Sequence, residues 1–200
     1  MIFLSIDQSK RSTGYALWDQ RRRPVIGHFQ LGSEYTSDGA TFCKLHERLY
    51  ELRSIAKFDA IYYEQPINPA QLQGHTTIDT ILLAGGLAAH IQSFGTAMGC
   101  RIVKSVNVQH WRPDFIGKIQ HNDETAKVRR ARKAGDKRAS ARDTLKQLTM
   151  ERCRQLGFTP RNDDEADAIA ILTYAVLLNG ITPPWLAEET LRPIMEGAAA

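Results

Sequence analysis

The chain has 200 residues, 42% hydrophobic and 24% charged, which suits one globular domain with a full core and excludes disorder of the whole chain. Its formal net charge of +4 is unevenly spread: residues 126 to 154 hold 11 Lys or Arg against 3 acids, leaving the remainder at −4, so one segment favours a phosphate-binding surface. No apolar run approaches the ~18 residues of a spanning helix, the three cysteines and six histidines have no zinc-ligand or HExxH spacing, and a cytoplasmic protein without membrane partners is expected.

In chain order, residues 1 to 7, 13 to 18 and 25 to 31 read as three strands joined by short polar turns, hence antiparallel neighbours. Phe42, Leu45, Leu49, Leu52 and Ile55 recur at helical spacing and lead into a strand over residues 58 to 63. Pro66 disfavours continuation of regular structure after Glu64. An apolar helix is predicted over residues 77 to 98, and a fifth strand over 100 to 106. Residues 109 to 117 read as a loop anchored by Trp111 and Phe115, and 118 to 136 as a mobile basic segment. Helical spacing resumes from Lys137 to Leu156, with Gly157 as the stop. Asn162 and Glu165 suit a capping box for a last long helix. The tail, with Pro183 and Pro184, reads as a loosely packed arm. This order predicts a mixed sheet with helices on its faces rather than a doubly wound nucleotide fold.

The acids are placed informatively. Asp7 and Glu64 each end an apolar strand, while Asp164 and Asp167, at i and i+3, share one side of the last helix near its N-terminus. Each has an ordinary explanation as a turn or cap residue. Together, and with a basic segment nearby in the sequence, they suggest a site for a divalent cation, since Mg²⁺ takes a few carboxylates and keeps several waters. Asp163, four residues before Asp167, competes with Asp164 for the role. Glu165 lies off that side and is assigned to the cap, and Tyr62 and Tyr63 to packing.

The residues Ile6-Asp7, Arg11, Thr13-Gly14-Tyr15, Ala60-Ile61 to Glu64-Gln65, and Asp164-Glu165-Ala166-Asp167-Ala168-Ile169-Ala170-Ile171 resemble the RuvC family of Holliday junction resolvases. The resemblance spans residues 1 to about 178. It implies an α/β ribonuclease-H-like fold, with a mixed five-stranded sheet whose first three strands are antiparallel and whose two faces carry helices. It also implies a homodimer that cuts four-way DNA junctions symmetrically with Mg²⁺, two ions per site, Mn²⁺ being a substitute. The four carboxylates would be Asp7, Glu64, Asp164 and Asp167, and Lys137 is similar to the family's basic residue near the scissile phosphate. Arg11, Arg129, Arg130, Arg132, Lys133, Arg138 and Arg142 would bind flanking DNA phosphates. The chain departs from the family in having Gln8-Ser9 after the first acid, where Pro-Gly is usual, and Pro66-Ile67 where an aromatic is common. The basic insertion marks a divergent member of viral type.

The expectation is therefore one nuclease domain over residues 1 to 180, a tail over 181 to 200, and a structure-selective endodeoxyribonuclease acting on branched DNA. A ribonuclease H or flap nuclease of the same fold is the alternative. A noncatalytic nucleic-acid-binding module and an actin-like ATPase fragment are the readings from other classes.

Overall fold

The N-terminal apolar runs form strands β1 (Phe3–Asp7), β2 (Thr13–Trp18) and β3 (Val25–Phe29) in a computed structural model that describes residues 1–66 and 77–187. β1 pairs antiparallel with β2, and β2 with β3, as their short turns require. Helix α1 (Asp38–Ile55) crosses to β4 (Ala60–Glu64), which lies parallel to β1. Helix α2 (Ile78–Ala97) then leads to β5 (Ile102–Val106), parallel to β4. The sheet order is β3-β2-β1-β4-β5, the mixed five-stranded arrangement expected. Four helices follow: α3 (Val108–Ile116), α4 (Lys118–Lys133), α5 (Arg142–Gln155) and α6 (Asp163–Leu178).

Strand alternation sorts the core into two layers. Leu4, Ile6, Ile61 and Tyr63 pack against Leu45 and Leu49 of α1 and Ile91 and Phe94 of α2. Phe3, Ala16, Trp18, Ala60 and Tyr62 face the other way, onto α3, α5 and α6. Asp7 and Glu64 fall in the second series, so both carboxylates project on the α6 side. α6 itself is buried almost all round, and its alanines let it lie close to the sheet: the Ser5 hydroxyl on β1 donates to the Ala168 carbonyl at 2.7 Å.

Three expectations are corrected. Residues 109 to 117 form helix α3 instead of a loop, although Pro113 lies inside it. Trp111 and Phe115, one turn apart, are both buried, and that packing offsets the ~3 kcal/mol that an interior proline costs. The segment 118 to 136, to which the sequence pattern assigned no helix, is mostly helix α4, none of whose residues is buried. The expected helix from Lys137 begins only at Arg142. Gly135, at φ 101°, ends α4 with a left-handed residue, and the Asp136 N–H returns to the Ala131 carbonyl, so a turn separates α4 from α5.

The start of the tail is also anchored where a loose arm was expected. Trp185 is buried, packs edge-on against Trp18 and Phe158, and donates its indole N–H to the Thr173 hydroxyl. Its partners come from β2, from the segment between α5 and α6, and from α6. Residues 188 to 200 of the tail, and Ile67, lie outside the described residues.

Candidate active site

One row across the sheet organises the site. His28 on β3 pairs with Gly14 on β2, and Gly14 pairs with Asp7 on β1. β1 and β4 are in register from Phe3 with Ala60 to Ile6 with Tyr63, so the next step brings Asp7 beside Glu64. Neighbouring strands are ~4.8 Å apart, and these two strand-end acids therefore stand side by side. The N-terminus of α6 comes down on the same row, with the Asp164 backbone lying over Gly14: a Cβ there would meet the Asp164 carbonyl oxygen at 2.0 Å. Gly14 is glycine because a helix end occupies the space of its side chain.

The turn after Asp7 is built from side chains. Gln8 donates from Nε2 to the Glu64 carbonyl at 2.6 Å, tying the ends of β1 and β4 together. Thr13 donates from Oγ1 to the Ser9 carbonyl at 2.6 Å, and Ser9 donates from Oγ to the Ser12 carbonyl at 2.7 Å. Gln8 and Ser9 thus close the turn where the resemblance leads one to expect Pro-Gly.

Three of the acids oppose the ionisation of Asp7, and Asp167 that of Glu64. Burial raises the Asp7 carboxyl well above the usual range, and Glu64, Asp167 and Asp164 push it further, against the charge of Arg112. Asp7 retains some surface exposure as a residue. Its carboxyl group is nonetheless enclosed by protein and by other acids, and this local crowding governs its ionisation. Burial first, then Asp167, raises Glu64 to about 7, while Arg112, Lys146 and Trp111 act in the opposite direction. The buried Trp111 N–H is turned toward Glu64 without completing a hydrogen bond. Asp167, only 4% exposed, is raised by burial against the pull of Arg112 and Lys146. Asp164 is raised mainly by burial, with Ser12 opposing.

Asp163 is placed differently from Asp164. It pairs with Lys146 of α5, and although burial pushes its carboxyl up, Lys146 more than compensates and holds it low. Asp164, not Asp163, is among the charges acting on Asp7. Glu165 serves structure as expected, with one change of partner. Asn162 accepts the Glu165 N–H at 2.9 Å, but the Glu165 carboxylate turns back to the Arg161 N–H at 2.7 Å and to His28 Nδ1, also at 2.7 Å.

Among the described residues, no three acid, imidazole or thiol side chains already form a cluster of metal-ligand geometry. The donor set nevertheless fits a divalent cation. Glu64 Oε2 and Asp167 Oδ1 are buried carboxylate oxygens with no hydrogen-bond partner, and such oxygens are costly unless a cation answers them. An oxygen-only donor set of this kind suits Mg²⁺ or Mn²⁺.

Two cations at this site carry no signal in the sequence pattern. Arg112 of α3 donates from Nη2 to Asp167 Oδ2 at 2.6 Å, with only 12% of its side chain exposed, and its guanidinium lies 4.5 Å from the Trp111 ring. Lys146 of α5 acts electrostatically on Glu64, Asp164 and Asp167. Lys137, the residue expected near the acids, is exposed in the turn before α5. Arg129, Arg130, Arg132 and Lys133 crowd the end of α4, three of them lining an open basin of ≈ 400 Å³ with Thr125 and Val128. Arg138 and Arg142 are exposed beyond it, and Arg11 pairs loosely with Glu34 at 3.4 Å on the other side of the turn after Asp7. No described helix is long and apolar enough to cross a membrane.

No protein-family model matches this sequence, and neither does any curated protein. The fold, however, is that of solved RuvC structures. The chain is similar to Thermus thermophilus RuvC at TM-score 0.57 and 15% identity, covering 86% of this chain and 90% of that one. It is similar to T. thermophilus RuvC in complex with a Holliday junction substrate at TM-score 0.56 and 13% identity, covering 86% and 89%. The likeness is one of fold, a mixed five-stranded sheet of ribonuclease-H-like architecture, at 13% and 15% identity.

Proposed function

We propose that this chain is a divalent-cation-dependent endodeoxyribonuclease acting on branched DNA, with the four-way junction as its preferred substrate. The observation that carries this reading is the convergence of Asp7, Glu64, Asp164 and Asp167, from two strands and one helix, around Asp7, whose carboxyl the other three push up, with Asp167 acting likewise on Glu64. The fold shared with a RuvC structure bound to a Holliday junction supports DNA as the substrate, as does the concentration of positive charge on α4 and the turn after it.

The four carboxylates would hold Mg²⁺, which at such sites lowers the pKa of water and stabilises the departing oxygen of a phosphodiester. The chain's own part is positional. The strand ends set Asp7 and Glu64 side by side, and α6 presents Asp164 and Asp167 from the facing layer. Lys146 offers positive charge at the rim, where the phosphorane-like transition state is most negative. Lys137, on the turn before α5, reaches DNA as a phosphate contact alongside Arg138 and Arg142.

Asp7→Asn is the test. The variant keeps its affinity for a four-way junction and loses Mg²⁺-dependent cleavage; cleavage at the wild-type rate would refute the assignment of the site. A ribonuclease H or flap nuclease is separated by substrate: a junction is cut at paired symmetric positions, whereas an RNA:DNA hybrid or a flap would be cut at one strand. Binding without cleavage under either Mg²⁺ or Mn²⁺ would indicate a noncatalytic module. Paired cutting calls for two sites, and we assign the two-fold contact to α2, where Ile78 is 69% and Leu82 65% exposed and Gly85 opens to free space on the same helical side.

A further inference from the structure

We propose that the Arg112 guanidinium stands in the place of a second cation, so that each site takes a single divalent ion instead of the two that the resemblance implies. This rests on the metal-dependent reading above and narrows it.

The geometry around Asp167 carries the argument. One of its oxygens, Oδ2, receives Arg112 Nη2 at 2.6 Å, and the two side chains are 12% and 6% exposed. The other, Oδ1, is buried without a partner, as is Glu64 Oε2. The carboxylate is therefore divided, with one oxygen committed to a resident cation and one left for an ion shared with Glu64 and Asp7. Arg112 is not a loose surface side chain that an arriving ion could displace cheaply. Its guanidinium lies over the Trp111 ring at 4.5 Å, and α3 is fixed by Trp111, Phe115 and Ile116, all buried. Removing one partner from a buried pair leaves the other charge uncompensated.

Arg112 places a positive charge against the Asp167 carboxylate, where an ion would otherwise stand. A guanidinium remains charged at every working pH and can donate to phosphate oxygens. It cannot acidify a water, so the single ion belongs on the side of Asp7 and Glu64.

The experiment is a Mn²⁺ titration of the full chain at pH 8, read by calorimetry and by electron paramagnetic resonance. Wild type binds one Mn²⁺ per chain with no Mn–Mn dipolar coupling, Arg112→Ala binds two with coupling, and Arg112→Lys, which keeps the charge, stays at one. Two coupled ions in wild type would overturn the inference while leaving the nuclease reading intact, and so would a folded Arg112→Ala that still binds one. Should Arg112→Ala fail to fold, the wild-type and Arg112→Lys stoichiometries decide the matter. No Mn²⁺ bound by wild type would overturn the metal-dependent reading itself, and this inference with it.

Discussion

Glu64 illustrates how a residue's environment turns a strand-end acid into a functional candidate. Its carboxyl is raised from the ordinary 4.5 to about 7, first by burial and then by Asp167. Between those two values the unfolded chain releases a proton that the folded chain keeps, so without metal the fold loses stability as pH rises through this window, and the cost is complete above about 7. Glu64→Gln removes that cost. In the presence of a chelator, the variant and wild type should melt together near pH 4.5, with the variant more stable by more than ~1 kcal/mol at pH 8. A pH-independent difference in melting temperature would show that Glu64 is not held in a crowded acidic site. Mg²⁺ should narrow the gap at pH 8, because ligand oxygens must be deprotonated and a bound cation stabilises the state that the lone acids disfavour.

Among the elements, α4 has the least support from the rest of the fold and the clearest electrostatic character. None of its residues is buried, so core packing adds little to its stability, and it leans on its own backbone bonds, on the Lys127–Glu124 and Lys118–Asp114 pairs and on a left-handed glycine at its end. Replacing Arg129, Arg130 and Lys133, all exposed, with glutamine should leave the melting temperature almost unchanged. If α4 lies along DNA, the same triple variant flattens the dependence of log affinity on log salt by up to ~2.7, about 0.9 for each phosphate that the protein no longer neutralises. An unchanged slope would mean that the DNA runs elsewhere. Arg132 is best left in place, because its Nε–H donates to the Ala139 carbonyl at 3.0 Å and ties α4 to the turn that follows.

At the scale of the whole molecule, the two faces of the sheet divide the work. The α6 face carries the acids, Arg112 and Lys146, while the α1–α2 face ends in the exposed stripe of Ile78 and Leu82. A two-fold contact through that stripe would leave both acidic sites free for the two strands of one junction. Leu82→Glu places a charge in the stripe, and in sedimentation velocity it should convert a dimer to a monomer while single-site Mn²⁺ binding persists. A wild-type protein that sediments as a monomer at micromolar concentration would dispose of this assignment of α2.

The strands, the long helices and the positions of the four acids could be read from the chain itself, because periods of two and of 3.6 and the breaks between them are local properties. Asp7 and Glu64 announce themselves as polar ends of apolar runs, and Asp164 and Asp167 as one side of a helix start. Local spacing misjudged α3, since nothing near Pro113 says that Trp111 and Phe115 will be buried deeply enough to hold a helix through a proline. It also misjudged the start of the tail, where Trp185 finds Trp18 and Phe158 only after folding. The different partners of Asp163 and Asp164, and the identity of the cations facing the acids, depended on packing. Arg112 meets Asp167 across 55 residues of sequence, and Lys146 meets Asp163 across 17. An ion pair between distant elements leaves no periodic trace; it exists because two helices are pressed against the same sheet face.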